Sequence, residues 1–210
     1  MPSFLDLVLH SVIGLLAIMN PLGNAPIFGT MVSSQSPRAQ RIAASRTSLI
    51  ILVILVISAL VGKTLLDVFG VSMPAFRIAG GVIVAAMGWR MLNGSQSREA
   101  EHHADNTEIR ERLMVPFAMP MVAGPGTIAA VISMTSIEPG AVPWATLTAI
   151  TIGSAAVWIT LLVIVRLERF IHRDALRVIT RFMGMILVAI GVQFVVAGWL
   201  EATALESAGR

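Results

Sequence analysis

Six mostly apolar runs follow one another along the chain, at about 5–31, 42–62, 73–92, 113–136, 143–165 and 178–199, with short polar segments between them. A helix of roughly 20 apolar residues crosses the hydrocarbon of a bilayer. The pattern therefore predicts an all-α membrane protein of six transmembrane helices, with little chain left for a soluble domain. The first run opens on Met1-Pro2-Ser3-Phe4-Leu5-Asp6, with one acid and no Lys or Arg, which argues against a cleaved secretory signal and for a first span. The longest hydrophilic stretch, 93–112, contains five acids and three arginines and falls at the midpoint. It divides the chain into a first three-helix repeat (1–92), a polar linker (93–112) and a second three-helix repeat (113–210).

The two halves resemble each other. Span one carries Asn20-Pro21-Leu22-Gly23-Asn24-Ala25-Pro26 and span four carries Pro120-Met121-Val122-Ala123-Gly124-Pro125-Gly126, so a Pro-x4-Pro recurs 99 residues on. Span three opens with Arg77-Ile78-Ala79-Gly80 and span six with Arg181-Phe182-Met183-Gly184, 104 residues on, and Val84 and Ala85 match Val188 and Ala189. Three spans per unit force the second copy to enter the membrane from the opposite side. The expectation is a pair of inverted repeats, an arrangement common in secondary transporters.

Each proline removes a backbone donor and crowds the carbonyl four residues back. Pro21 and Pro26 should free the carbonyls of Ala17 and Leu22, and Pro120 and Pro125 those of Pro116 and Met121. With Gly23, Gly124 and Gly126 adding backbone freedom, helices 1 and 4 should break near their middles while spans two and five stay continuous. Such breaks survive in hydrocarbon only where protein or a wet cavity covers them, so corresponding breaks point to a binding site. Proline can also merely kink a membrane helix, and the buried amides of Asn20 and Asn24 would be satisfied equally by another helix or by a ligand.

Composition agrees with the membrane reading: 56% of residues are apolar and 13% charged, against about 25% charged in soluble domains. The basic pI rests on a net charge of only +3, and the basic residues sit between apolar runs, which indicates membrane orientation rather than a nucleic-acid partner. Arg38, Arg41, Arg46, Arg90, Arg98, Arg110, Arg112, Arg166, Arg169, Arg173, Arg177 and Arg181 fall on one side; Lys63, Arg77 and Arg210 fall on the other. This bias places both termini outside and the 93–112 linker in the cytoplasm. The chain has no cysteine, which excludes disulfides, thiolate metal sites and thiol carriers. No paired aspartates or Ser/His couple stand within the spans, so an intramembrane protease, and an enzyme in general, is not expected.

The stretch from Asn20 through Pro26 to Ile27-Phe28, the run Phe76-Arg77-Ile78-Ala79-Gly80-Gly81, and Ala118-Met119-Pro120 with Ala123-Gly124-Pro125-Gly126-Thr127-Ile128 resemble the MarC family of bacterial inner-membrane proteins. The resemblance covers essentially the whole chain. It implies a multi-pass inner-membrane transporter of small neutral amino acids, of the glycine and alanine class. The residues fit a small zwitterionic solute in their own right: the spans carry no charge near their middles, the amides near 24–28 and 126–129 could face a carboxylate, and freed carbonyls could take an ammonium. The expected substrate-binding residues are Asn20, Pro21, Gly23, Asn24, Pro26, Pro120, Gly124, Pro125, Gly126 and Thr127, with glycines and Ala25 leaving room for only a small side chain.

Other signals are bland. His102-His103 with Asp105 lie in a polar linker, and His10 and His172 near span ends; no cofactor or metal is expected. Trp89, Trp144 and Trp199 sit at span ends as aromatic belts do. Gly80, Gly81, Gly88, Gly184 and Gly191 suit close helix packing. Membrane lipid is the expected partner besides the solute. The alternatives are a membrane scaffold or stress-associated protein that transports nothing, and an exporter of another small neutral solute.

Overall fold

A computed structural model describes residues 3–94, 122–137, 143–167 and 173–208. Among them are seven helices and no strand: α1 (Phe4–Met19), α2 (Pro21–Val32), α3 (Pro37–Val68), α4 (Met73–Leu92), α5 (Pro125–Ile137), α6 (Trp144–Leu167) and α7 (Arg173–Ala208). Five stretches of the described residues are long and apolar enough to cross a bilayer: Phe4–Ala25, Pro37–Val68, Met73–Leu92, Trp144–Arg166 and Val178–Leu205. They match five of the six expected spans. The expected span at 113–136 is described only from Val122, so its first part, Pro120, and residues 95–112 of the linker lie outside the described residues.

Helix starts follow local chemistry. Ser3, Ser36 and Ser72 each cap the helix that follows, and Asp6 completes a capping box with Ser3. Proline stands in the first turn of α3 and α4, where a missing N–H costs nothing. The α2–α3 corner is tied by the buried Gln40, whose Nε2 donates to the Val32 carbonyl at 3.0 Å. α3 and α6 run unbroken, as expected of spans two and five.

The bundle has an apolar skin as well as an apolar core. Leu49, Val53, Ile57 and Leu60 of α3 and Val192 and Val196 of α7 are all exposed. Water would penalise so much bare apolar surface; lipid does not. The chain is an integral membrane protein. Inside, Leu15, Met19, Phe28, Ile51, Leu55, Ile150 and Leu161 form a core shared by α1, α2, α3 and α6, joined by Val122, Ala123 and Val131. A second cluster joins Ile18, Val84, Met91, Ala130 and Leu187 around α4.

The tightest seam joins α4 to α7, and glycine makes it possible. A Cβ on Gly81 would stand 2.6 Å from the Gly191 carbonyl oxygen, and one on Gly88 would stand 2.6 Å from that of Gly184. Backbone meets backbone there, as the glycines of spans three and six predict. In lipid, where no hydrophobic effect drives helices together, such close van der Waals contact is the main adhesive.

Candidate functional site: a helix break along one face of α4

The chain breaks at one residue, Asn20, between α1 and α2. Asn20 has φ 43° and ψ 59°, and it is the sole non-glycine residue of positive φ among those described. Asparagine tolerates this left-handed conformation better than other non-glycine residues. It also does double duty as a cap. Its backbone N–H donates to the Leu16 carbonyl at 3.0 Å, closing α1, and its Oδ1 accepts from the Gly23 N–H at 3.1 Å, opening α2. Pro21 follows as the first residue of α2, where its fixed φ suits a helix start.

The sequence suggested a break of several residues around Gly23. The break is one turn earlier and one residue long, because the asparagine side chain satisfies the new helix end at once. Gly23, Asn24 and residue 26 therefore lie inside α2. The amides near 24–28, expected to face a ligand, fall mostly beyond the first turn; that of Asn24 donates to the Asn20 carbonyl at 3.1 Å.

The second segment has a related form. Residues 123–124 are bends, and α5 starts at Pro125, so Pro125 occupies the helix-opening place that Pro21 occupies in α2. Thr127 Oγ1 donates to the Val122 carbonyl at 2.7 Å, and Asn24 Nδ2 donates to the Met19 carbonyl at 2.9 Å. In both places a buried polar side chain reaches five residues back to satisfy a carbonyl, beside the break at Asn20 in one and just ahead of the start of α5 in the other. Bare carbonyls there would be costly in a membrane interior. Part of the polar chemistry expected to meet a solute thus holds the Asn20 break and the start of α5 in shape.

The two segments are brought to a common helix, α4. A Cβ on Gly23 would meet Met91 Cε at 2.6 Å, while Asn20 Nδ2 lies 3.5 Å from Met91 Sδ, a weak acceptor. A Cβ on Gly126 would overlap Val84 Cγ2, and one on Gly80 would overlap Ala129 Cβ. Val84 and Met91 are seven residues apart on one face, so the two contacts are separated by about 10 Å along α4. Asn20, Gly23, Asn24, Gly124, Gly126 and Thr127 are all buried, Pro21 is half-buried and Pro125 exposed.

Continuing along the same face of α4 leads to Arg77, to which the sequence reading gave no role because it lies near a span end. Its side chain is 17% exposed. Nε donates to Ser133 Oγ of α5 at 2.9 Å, Nη2 donates to the same oxygen, and Nη1 pairs with Glu201 Oε2 of α7 at 2.7 Å. The signal in the sequence was an arginine within an otherwise apolar run, a position where ionisable residues face the bundle interior. Its partners, Ser133 and Glu201, are 56 and 124 residues away and gave no sign.

The MarC family of integral membrane proteins matches residues 5–203. The chain belongs to the MarC family. Among its relatives, the membrane protein YhcE of Escherichia coli is 34% identical over 89% of this chain and 88% of its own. The membrane protein YvbG of Bacillus subtilis is 31% identical over 91% of this chain and 93% of its own. The inner membrane protein MarC of Escherichia coli is 32% identical over 89% of this chain and 91% of its own. No solved structure matches the chain. The MarC relatives' names state membrane residence and no substrate.

Proposed function

We propose that this MarC-family protein carries small neutral amino acids, glycine and alanine foremost, across the bacterial inner membrane past a discontinuous first span. The observation that carries the reading is the buried break at Asn20, a left-handed residue between two helices in an apolar span. Non-helical backbone at membrane depth is tolerated where a cavity or protein covers it, and transporters place substrates beside it.

An inverted-repeat architecture with breaks in helices 1 and 4 is part of this proposal. Three pairs are all 104 residues apart: the helix-opening prolines Pro21 and Pro125, Arg77 and Arg181, and Gly80 and Gly184. The packing supports it too. α5 rests on α3 and α4, and α2 rests on α6 and α7, the exchange of partners that a two-fold relation between halves would make. This pairing matches Pro21 with Pro125 rather than with Pro120. The domains 1–92, 93–112 and 113–210, both termini outside, and a cytoplasmic linker complete the proposal on the distribution of Lys and Arg. Since the chain lacks cysteine, a single cysteine at Ser97 tests the orientation: no reaction with an impermeant reagent in intact cells supports it, and labelling overturns it.

A scaffold that transports nothing is favoured by one observation: the Asn24 amide and Thr127 hydroxyl are engaged within the chain. Ligand binding separates the two readings. Alanine or glycine at millimolar concentration should raise the melting temperature of the purified protein through preferential binding to the folded state. No shift with either removes the amino-acid assignment.

A further inference from the structure

Arg77, Ser133 and Glu201 come together where α4 begins and where α5 and α7 approach their ends. A guanidinium offers two kinds of contact. The Nε/Nη2 edge presents two parallel N–H groups whose spacing matches the two oxygens of a carboxylate. In this protein that edge is turned toward α5 and straddles one neutral oxygen, Ser133 Oγ. The available carboxylate, Glu201, instead takes Nη1 through a single oxygen. The edge best suited to a carboxylate is thus filled by a weaker acceptor, in a group removed from most of its water.

We propose that the Arg77–Ser133–Glu201 cluster is a receiving site for a zwitterion, with the solute's carboxylate replacing Ser133 on the Nε/Nη2 edge and its ammonium pairing with Glu201. Charge is balanced before and after: arginine and glutamate neutralise each other in the empty cluster, and each gains an opposite charge from the solute. Glu201, 39% exposed, is the partner open at the bundle surface, whereas Arg77 at 17% supplies the desolvated contact. A simple carboxylate would engage Arg77 but leave Glu201 facing a second negative charge. Binding should therefore follow the order alanine, then propionate, then alaninamide, which lacks the carboxylate.

The site also lies on the track already described. From Arg77 the same face of α4 passes Gly80 against Ala129, Val84 against Gly126, and Met91 against Asn20 and Gly23.

This proposal rests on the amino-acid reading, and titration calorimetry of the purified full chain separates the two. Wild type should bind alanine more tightly than propionate. Arg77→Lys keeps the charge but loses the fork, and should weaken both about tenfold or more, the equivalent of one charge-assisted hydrogen bond. Glu201→Gln should weaken alanine and leave propionate bound as tightly as in wild type or more tightly, since the like charge is gone. Ser133→Ala removes only the group to be displaced, and should bind alanine at least as tightly as wild type. Melting temperatures of each variant without solute report folding separately. Wild-type alanine affinity in Arg77→Lys, or equal losses in Ser133→Ala and Arg77→Lys, would overturn the site while leaving the amino-acid reading intact. Arg77-dependent binding of propionate without any binding of alanine or glycine would keep the carboxylate site and overturn the amino-acid reading. No binding of any of these solutes to folded wild type would overturn both.

Discussion

α4 has two working faces, and they are built in opposite ways. Toward α7 it presents Gly81 and Gly88, and the facing Gly191 and Gly184 bring backbone against backbone with no side-chain chemistry. Toward α5 and the α1–α2 break it presents Arg77, Gly80, Val84 and Met91, which meet a serine, small residues and an asparagine. The first face is purely adhesive, and the second mixes apolar contacts with an arginine and an asparagine contact. A membrane protein can afford a discontinuous helix only if some other contact fixes the bundle, and the glycine seam supplies it. The second face then meets the capped break through Met91 and carries the arginine.

Substitutions should separate the two faces by size of effect. Gly81→Leu drives a side chain into the Gly191 carbonyl and Phe194 Cβ, and should cost about 3 kcal/mol or more, enough to prevent recovery of folded protein. Near-normal thermal stability of that variant would mean that α4 and α7 separate readily. Asn20→Ala should come next, losing about 2–3 kcal/mol from the cap and the left-handed backbone together. Asn20→Gly relieves the backbone and should recover most of that loss in the same denaturation assay. If alanine and glycine behave alike, the break is not held by the conformation of residue 20.

Gly126→Ala should cost about 1–2 kcal/mol, because the new methyl meets Val84, a β-branched side chain that cannot swing aside. Adding Val84→Ala should return much of it, and a double-mutant cycle reads the coupling directly. Additive losses would place Gly126 elsewhere than against α4. The smallest effect belongs to Thr127→Val, which removes one hydrogen bond to Val122 and should cost about 0.6 kcal/mol, the average for polar contacts in membrane helices. A loss several times larger would show that the start of α5 depends on that hydroxyl as strongly as the α1–α2 break depends on Asn20.

Much of this was legible in the sequence, for physical reasons that differ by region. Spans are set by bilayer thickness, so the apolar run at 73–92 became a helix with those bounds. The glycines of spans three and six had a direct reading because only close backbone approach needs them. The break at span one was legible from its prolines, but its position was not: Asn20 could cap α2 and adopt positive φ, which shifted the discontinuity a turn ahead of Gly23. The roles of Asn24 and Thr127 were half legible. Buried polar groups were recognised as needing partners, yet local spacing did not reveal that each would take the carbonyl five residues back. Arg77 was visible, but Ser133 and Glu201 meet it only through the packing of three helices.

If the α1–α2 break packed on α4 serves passage of a small amino acid, liposomes containing the purified protein should take up labelled alanine. Uptake should be saturable, above that of protein-free liposomes, competed by excess glycine and little affected by leucine. Uptake equal to that of protein-free liposomes, with the reconstituted protein shown to be folded and under imposed proton or sodium gradients of either direction, would contradict it.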